Sequence, residues 1–234
     1  RRLAVGQPTV SLRGLWVVVG GADQLLWAAV SMVLFMTGYI TTTSFGVYFF
    51  KYAYRDEGMY TPFGAVLGIA QLTGFLIFPL FRRRFSRRTL YSAATATIVA
   101  GYALFFFAPM NMIWIGAAGL MIFMGQAFVV LLMLVFITDC IEYGHWKLGN
   151  RNAAVTFALQ PFINKVGAAL ATQVVSVVVI VSGINSAATP ADVSDNGLLL
   201  MRMTMLVFPL VLIVAGYLIY RAKYRIDETF YARI

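Results

Sequence analysis

Long uncharged stretches alternate with short charged ones along this chain. No charged side chain occurs from Gln24 to Phe50, from Gly58 to Phe81, from Thr89 to Thr138, or from Val166 to Ala191. A helix crosses the hydrocarbon core of a bilayer with about 20 apolar residues, so the first, second and fourth stretches hold one span each. The third is long enough for two and is broken by Pro109-Met110-Asn111. A last apolar run, Leu198 to Tyr220, supplies the sixth. The predicted spans are 24–50, 60–81, 89–108, 112–140, 153–184 and 198–220. Alternating segments of the membrane-strand type are absent, and in lipid every backbone polar group must be satisfied within the protein. The pattern predicts an all-α membrane protein, a bundle of six transmembrane helices over 24–220 flanked by end segments 1–23 and 221–234.

Composition agrees and excludes a soluble domain. Hydrophobic residues make up 61% of the 234 and charged ones 12%, with mean hydropathy +0.81, against about 45–50% and about 25% in globular chains. The net charge of +9 needs no nucleic-acid partner once its location is read. With six spans, both termini and the loops at 82–88 and 141–152 lie on one side. That side carries Arg1, Arg2, Arg13, Arg82, Arg83, Arg84, Arg87, Arg88, Lys147, Arg151, Arg221, Lys223, Arg225 and Arg233, fourteen of the eighteen basic residues. Lys51, Arg55 and Arg202 fall on the other side, and Lys165 falls inside a span. The positive-inside rule makes the first side cytoplasmic. The run Arg82-Arg83-Arg84-Phe85-Ser86-Arg87-Arg88 is read as this topology signal, in preference to phosphate or lipid recognition.

The informative residues are those that lipid should reject. Lys165 lies about a third of the way along its span, where a lysine costs at least about 2.5–3.5 kcal/mol on insertion scales. It sits more than ten residues past the start of the span, too deep for easy snorkelling, and a water-filled cavity is the stronger reading. Gln160 and Asn164, four apart, share a helix face, and Pro161 removes one backbone hydrogen bond beside them. Gln160 and Asn164 either face the same cavity or bridge helices; the residues alone leave both open. Gly167, Ala168, Ala169 and Ala171 are small enough for close helix contact. In the first span, Thr37, Tyr39, Thr41, Thr42, Thr43, Ser44 and Tyr48 form a hydroxyl-rich stretch suited to hydrogen-bonding a sugar, although Ser and Thr also bond back to their own helix.

Asp139 and Glu142 stand one turn apart at a helix C-terminus, where the dipole disfavours carboxylates, so Lys147 and Arg151 are the expected compensating charges. Such a cluster is either a solvated loop or an ion-pair latch that forms in one conformation and breaks in another. His145 is a loop histidine. One cysteine, Cys140, allows no internal disulfide, and no metal-ligand spacing, nucleotide loop or catalytic pair is present. The chain is not expected to be an enzyme or to hold a cofactor.

The run from Asp139 to Gly167, acidic-x-x-acidic-Tyr-Gly-x-aromatic-Lys-x-Gly-x-Arg and then Gln-x-x-x-x-Lys-x-Gly, resembles the glycoside–pentoside–hexuronide:cation symporters. These are the melibiose, lactose and glucuronide permeases within the major facilitator superfamily. Val10-Ser-Leu-Arg13, Tyr48-Phe-Phe-Lys-Tyr52 and the basic run Pro79 to Arg88 fit as well. The resemblance covers the whole chain as the C-terminal half, helices seven to twelve, and leans toward galactoside permeases. It implies a sugar substrate, a coupling cation (Na⁺ or H⁺) bound mainly in an N-terminal six-helix half, and a bacterial cell membrane. It implies that Lys165, Gln160, Pro161 and Asn164 face a central sugar and cation cavity, with Thr41 and Tyr48 as further sugar contacts. Asp139, Glu142, Lys147 and Arg151 would form a cytoplasmic charge network joining the halves. Two departures stand out: His145 where the family often has Glu, and Val130 where the melibiose permease has a tryptophan. A self-sufficient six-helix protein that homodimerises is the alternative.

Overall fold

The structure, a computed structural model, describes residues 23–148, 153–224 and 226, with side chains from 24 to 143 and from 157 onward. Among the described residues six helices are long and apolar enough to cross a membrane. They are α1 (Asp23–Tyr48), α2 (Tyr60–Arg84), α3 (Arg87–Phe107), α4 (Met112–Leu148), α5 (Ala153–Val181) and α6 (Asp195–Lys223). A π-helical turn, Phe49–Ala53, prolongs α1. There the chain turns sharply through Arg55, whose φ of 63° is left-handed.

Two element ends differ from the sequence expectation, each for a local reason. The basic run does not form a loop of seven residues. Arg82, Arg83 and Arg84 are the last turn of α2, only Phe85 and Ser86 interrupt, and Ser86 caps α3 by accepting from Thr89 N at 3.2 Å. Helix α4 does not stop near residue 140 but continues to Leu148. Nothing between Asp139 and Leu148 breaks it except one glycine, Gly144, whose cost of about 1 kcal/mol is small beside the packing of Cys140, Ile141 and Tyr143, all buried.

Packing follows an exchange rule. Helix α1 packs chiefly on α5 and α6, and α4 packs chiefly on α2 and α3. Swapping α1-α2-α3 with α4-α5-α6 reproduces the same pattern. Each unit has three spans, so the two sit upside down relative to each other. No internal sequence repeat betrays this symmetry; helix contact geometry alone carries it. Small residues make the central contacts possible. A Cβ on Gly125 of α4 would lie 2.9 Å from the Ala94 carbonyl oxygen of α3, and one on Gly216 of α6 would lie 2.9 Å from that of Ser31 on α1. At the end opposite the arginines, an aromatic cluster locks α1, α2 and α3 together: the Phe49 and Phe105 rings lie 5.2 Å apart and those of Phe50 and Phe63 5.1 Å apart.

Candidate functional site

The polar residues of the spans separate into an outer face and an inner layer. On α5, a Cβ at Gly167 would meet Met36 Cβ at 2.9 Å and Thr37 N at 3.2 Å. That contact sets α5 against the middle of α1 and fixes the level of its neighbours. Lys165, two residues away and about 200° around the helix, therefore points away from α1, and it is exposed. Asn164 and Pro161 are exposed too, and Gln160 is half-buried. Gln160 and Asn164 share the side next to the α1 contact, while Lys165 lies beyond them. An ammonium thus stands on the outer surface of a membrane bundle, about a third of the way along the span Phe157–Val181, where lipid would be its least favourable neighbour.

The hydroxyl-rich stretch of α1 divides the same way. Thr41 is 0% exposed and donates to its own helix, Oγ1 to the Thr37 carbonyl at 2.7 Å. Its placement departs from that of the α5 residues: it lies inside the bundle. Thr42 is also buried but reaches outward from α1, with Tyr102 OH of α3 at 2.6 Å and the Met205 carbonyl of α6 at 3.0 Å. The half-exposed members are Tyr39, Thr43, Ser44 and, near the π-turn, Tyr48. Tyr39 OH accepts from Gln71 Nε2 of α2 at 2.9 Å, which ties the polar positions of α1 to α2.

Sequence reasoning passed over Gln71 and a second glutamine, Gln126. Gln126 on α4 is 1% exposed, and neither amide atom has a hydrogen-bond partner among the described residues. It lies one turn from half-buried Val130. A buried amide without partners costs roughly 1–3 kcal/mol. The signal was available: a glutamine within a long uncharged run invites the argument applied to Lys165.

At the basic end the structure adds a charge partner from a third helix. Asp139, 2% exposed, forms an ion pair with Arg87, the first residue of α3. Part of the basic run, read from sequence as a topology signal alone, therefore neutralises a buried carboxylate. Glu142 is half-buried one turn further along α4. The Lys147 and His145 side chains and all of Arg151 lie outside the described residues. Among the described residues no group of His, Cys, Asp and Glu is arranged to hold a metal ion.

A family model for MFS/sugar transport proteins matches residues 3–228. The chain is 28% identical to the raffinose carrier protein of Pediococcus pentosaceus, over 97% of this chain and 36% of that protein. It is 31% identical to the lactose permease of Lactobacillus helveticus, over 96% and 35% respectively. A putative sulfoquinovose importer of Escherichia coli is more distant, 26% identical over 80% of this chain and 40% of its own length. The chain thus spans about a third of the length of the first two relatives.

Proposed function

The chain belongs to the MFS/sugar transport protein family, and on that premise we propose that it forms the C-terminal six-helix half of a cation-coupled symporter for a galactoside-type sugar. The observation that carries this reading is exposed Lys165 on α5, with exposed Asn164 and half-buried Gln160 beside it. A charge at that depth costs at least about 2.5–3.5 kcal/mol against lipid, and the cost disappears if the face lines an aqueous cavity closed by a second bundle. The N-terminal six helices would supply that bundle, together with most of the coupling-cation ligands, Na⁺ or H⁺.

Sugar would bind between the halves near the bilayer midplane, as expected where two repeats rock about a fixed site. Lys165, Asn164, Gln160 and Pro161 of α5 would contribute to it, with Tyr39 and Gln71 adding a hydrogen-bonding pair from α1 and α2. Thr41 and Tyr48 would take part only where rocking opens α1. Lys165 would serve as a charge pairing with a carboxylate of the other half, so that cation and sugar occupancy bias one shared equilibrium. Asp139, Glu142, Lys147 and Arg151, joined by Arg87, would form the cytoplasmic latch, broken and remade in each cycle.

Uptake by the transporter containing this chain tests the reading. Lys165→Ala should abolish concentrative accumulation of a labelled galactoside while surface expression stays normal; full accumulation would refute it. Saturable galactoside binding by the isolated six-helix chain would instead favour a homodimer.

A further inference from the structure

A polar cavity of about 430 Å³ opens at the basic end of the bundle, between the first turns of α3 and the last turns of α6. It is lined by Arg88, Thr89 and Ser92 from α3 and by Tyr217, Tyr220 and Arg221 from α6. We propose that this cavity binds the phosphate headgroup of an anionic phospholipid.

Its chemistry is that of an anion site. Two guanidinium groups face one space lined besides by hydroxyls, with no carboxylate among the lining residues. Arg88 is held in place by donating to the Tyr224 carbonyl at 3.3 Å, and Arg221 Nη1 donates to Tyr217 OH at 3.4 Å. Tyr217 OH in turn lies 2.7 Å from Ser92 Oγ, joining the two walls. The lining also contains a polar group that the protein leaves unused. Tyr220 is 4% exposed, its ring clamped by Tyr91 and Phe136 with centroids at 4.6 and 4.7 Å, yet its hydroxyl has no partner among the described residues. A phosphate oxygen is the strong acceptor such a donor lacks, and a small displacement of the lining would expose the hydroxyl, which is closed off from solvent.

Location favours a lipid over a free anion. The cavity lies at one end of two membrane-spanning helices, where polar headgroups reside and basic residues attract anionic lipid. The outer surface of α6 leading from it toward the bilayer centre is apolar: Leu218, one turn from Arg221, is 55% exposed and Val211 59%. Acyl chains have a path there; inorganic phosphate has no use for one. The site is separate from the polar face around Lys165 and independent of the transport reading.

The test is retention of added ligand by the purified, delipidated chain in detergent, read by native mass spectrometry. Its probes are short-chain phosphatidylglycerol, phosphatidylcholine of the same chain length, and inorganic phosphate. Phosphatidylglycerol should be retained in preference to phosphatidylcholine. Arg88→Gln with Arg221→Gln should weaken that retention by about thirtyfold, the contribution of two basic residues at a membrane surface. Arg83→Gln with Arg84→Gln removes equal charge from the same end but not from the cavity, and should leave retention within about twofold. Tyr220→Phe preserves the ring packing and removes only the unused hydroxyl; it should cost about tenfold. Equal losses in the two double variants would reduce the effect to surface charge and overturn the proposal. So would wild-type retention by Tyr220→Phe, or displacement of phosphatidylglycerol by inorganic phosphate at comparable concentration.

Discussion

Arg87 and Asp139 lie 52 residues apart in sequence and form a part-buried ion pair where α3 begins beside α4. The Asp139 side chain is 3% exposed and that of Arg87 14%, so neither charge has much recourse to water. Breaking a fully buried pair costs about 3–5 kcal/mol and an exposed one is worth about 0–1; this part-buried pair falls between. Asp139→Ala and Arg87→Ala should each lower the thermal midpoint of the detergent-solubilised chain, and the double variant should lose less than their sum. Additive losses in that cycle would show that the two charges do not act together.

Thr41 and Thr42 are adjacent, similarly buried and chemically identical, yet their hydroxyls do different things. Thr41 bonds within α1, whereas Thr42, besides a longer 3.3 Å bond to the Gly38 carbonyl of α1, links α1 to Tyr102 and to the Met205 carbonyl. Interhelical hydrogen bonds in membranes average about 0.6 kcal/mol and reach about 1.7, and Tyr102, 1% exposed, would be left without this partner. Thr42→Val should therefore destabilise the chain by about 1 kcal/mol, and Thr41→Val by much less. Denaturant unfolding in mixed micelles measures both; equal effects would contradict the assigned partners.

The carboxylate of Asp192 accepts from Thr189 N at 2.7 Å and from Thr189 Oγ1 at 2.9 Å in the connector before α6. The backbone bond first, and the hydroxyl bond second, hold its carboxyl below the usual carboxylate range. A lowered folded value means the turn is favoured above the unfolded carboxyl's titration and loses that support as pH falls through the folded one. Carbon-detected NMR should find Asp192 titrating below an aspartate in an unstructured peptide, and Thr189→Ala should raise it. A titration in Thr189→Ala equal to that of the parent chain would show that the hydroxyl bond plays no part in it, leaving the backbone bond alone.

What the sequence made legible follows from which costs are local. A charge inside a span is expensive whatever the neighbours do, so the six spans and the oddity of Lys165 could be read directly. The pairing of Asp139 with Arg87 could not. It depends on how α3 is seated against α4, where a Cβ on Gly101 would lie 3.1 Å from the Ala118 carbonyl oxygen and one on Gly125 2.9 Å from that of Ala94. The burial of Thr41 was hidden for a related reason: a hydroxyl-rich run shows neither its buried side nor which hydroxyls bond back to the helix. The loop expected over 141–152 is helical as far as Leu148, because Cys140, Ile141 and Tyr143 are buried and Gly144 alone does not end a helix so held.

Gln126 has both amide atoms buried and without partners among the described residues. If stability alone governed the position, an apolar side chain of similar size would serve better. Gln126→Leu should raise the thermal stability of the purified chain by about 1–3 kcal/mol, the relief of unpaired polar atoms. A loss of transport in the same variant would mark the amide as retained for function at a stability cost. A fall in stability would mean that the amide is satisfied within the bundle.

Thiol labelling distinguishes the two surfaces that Lys165 could meet. The chain's single cysteine, Cys140, is buried, so background reaction with a membrane-impermeant, charged thiol reagent should be low. A thiolate forms readily and reacts only where water reaches it. If the polar face lines an aqueous cavity, Lys165→Cys and Asn164→Cys in the assembled transporter should react, and a galactoside should protect both. Leu218→Cys lies on the apolar outer surface of α6 and should stay unlabelled. The isolated chain separates the effect of position from that of charge: there Lys165→Leu should improve membrane insertion by about 2.5–3.5 kcal/mol, because an exposed ammonium is removed from lipid. Labelling of Leu218→Cys but not of Lys165→Cys would place lipid against the α5 face and remove the basis for a second bundle covering it.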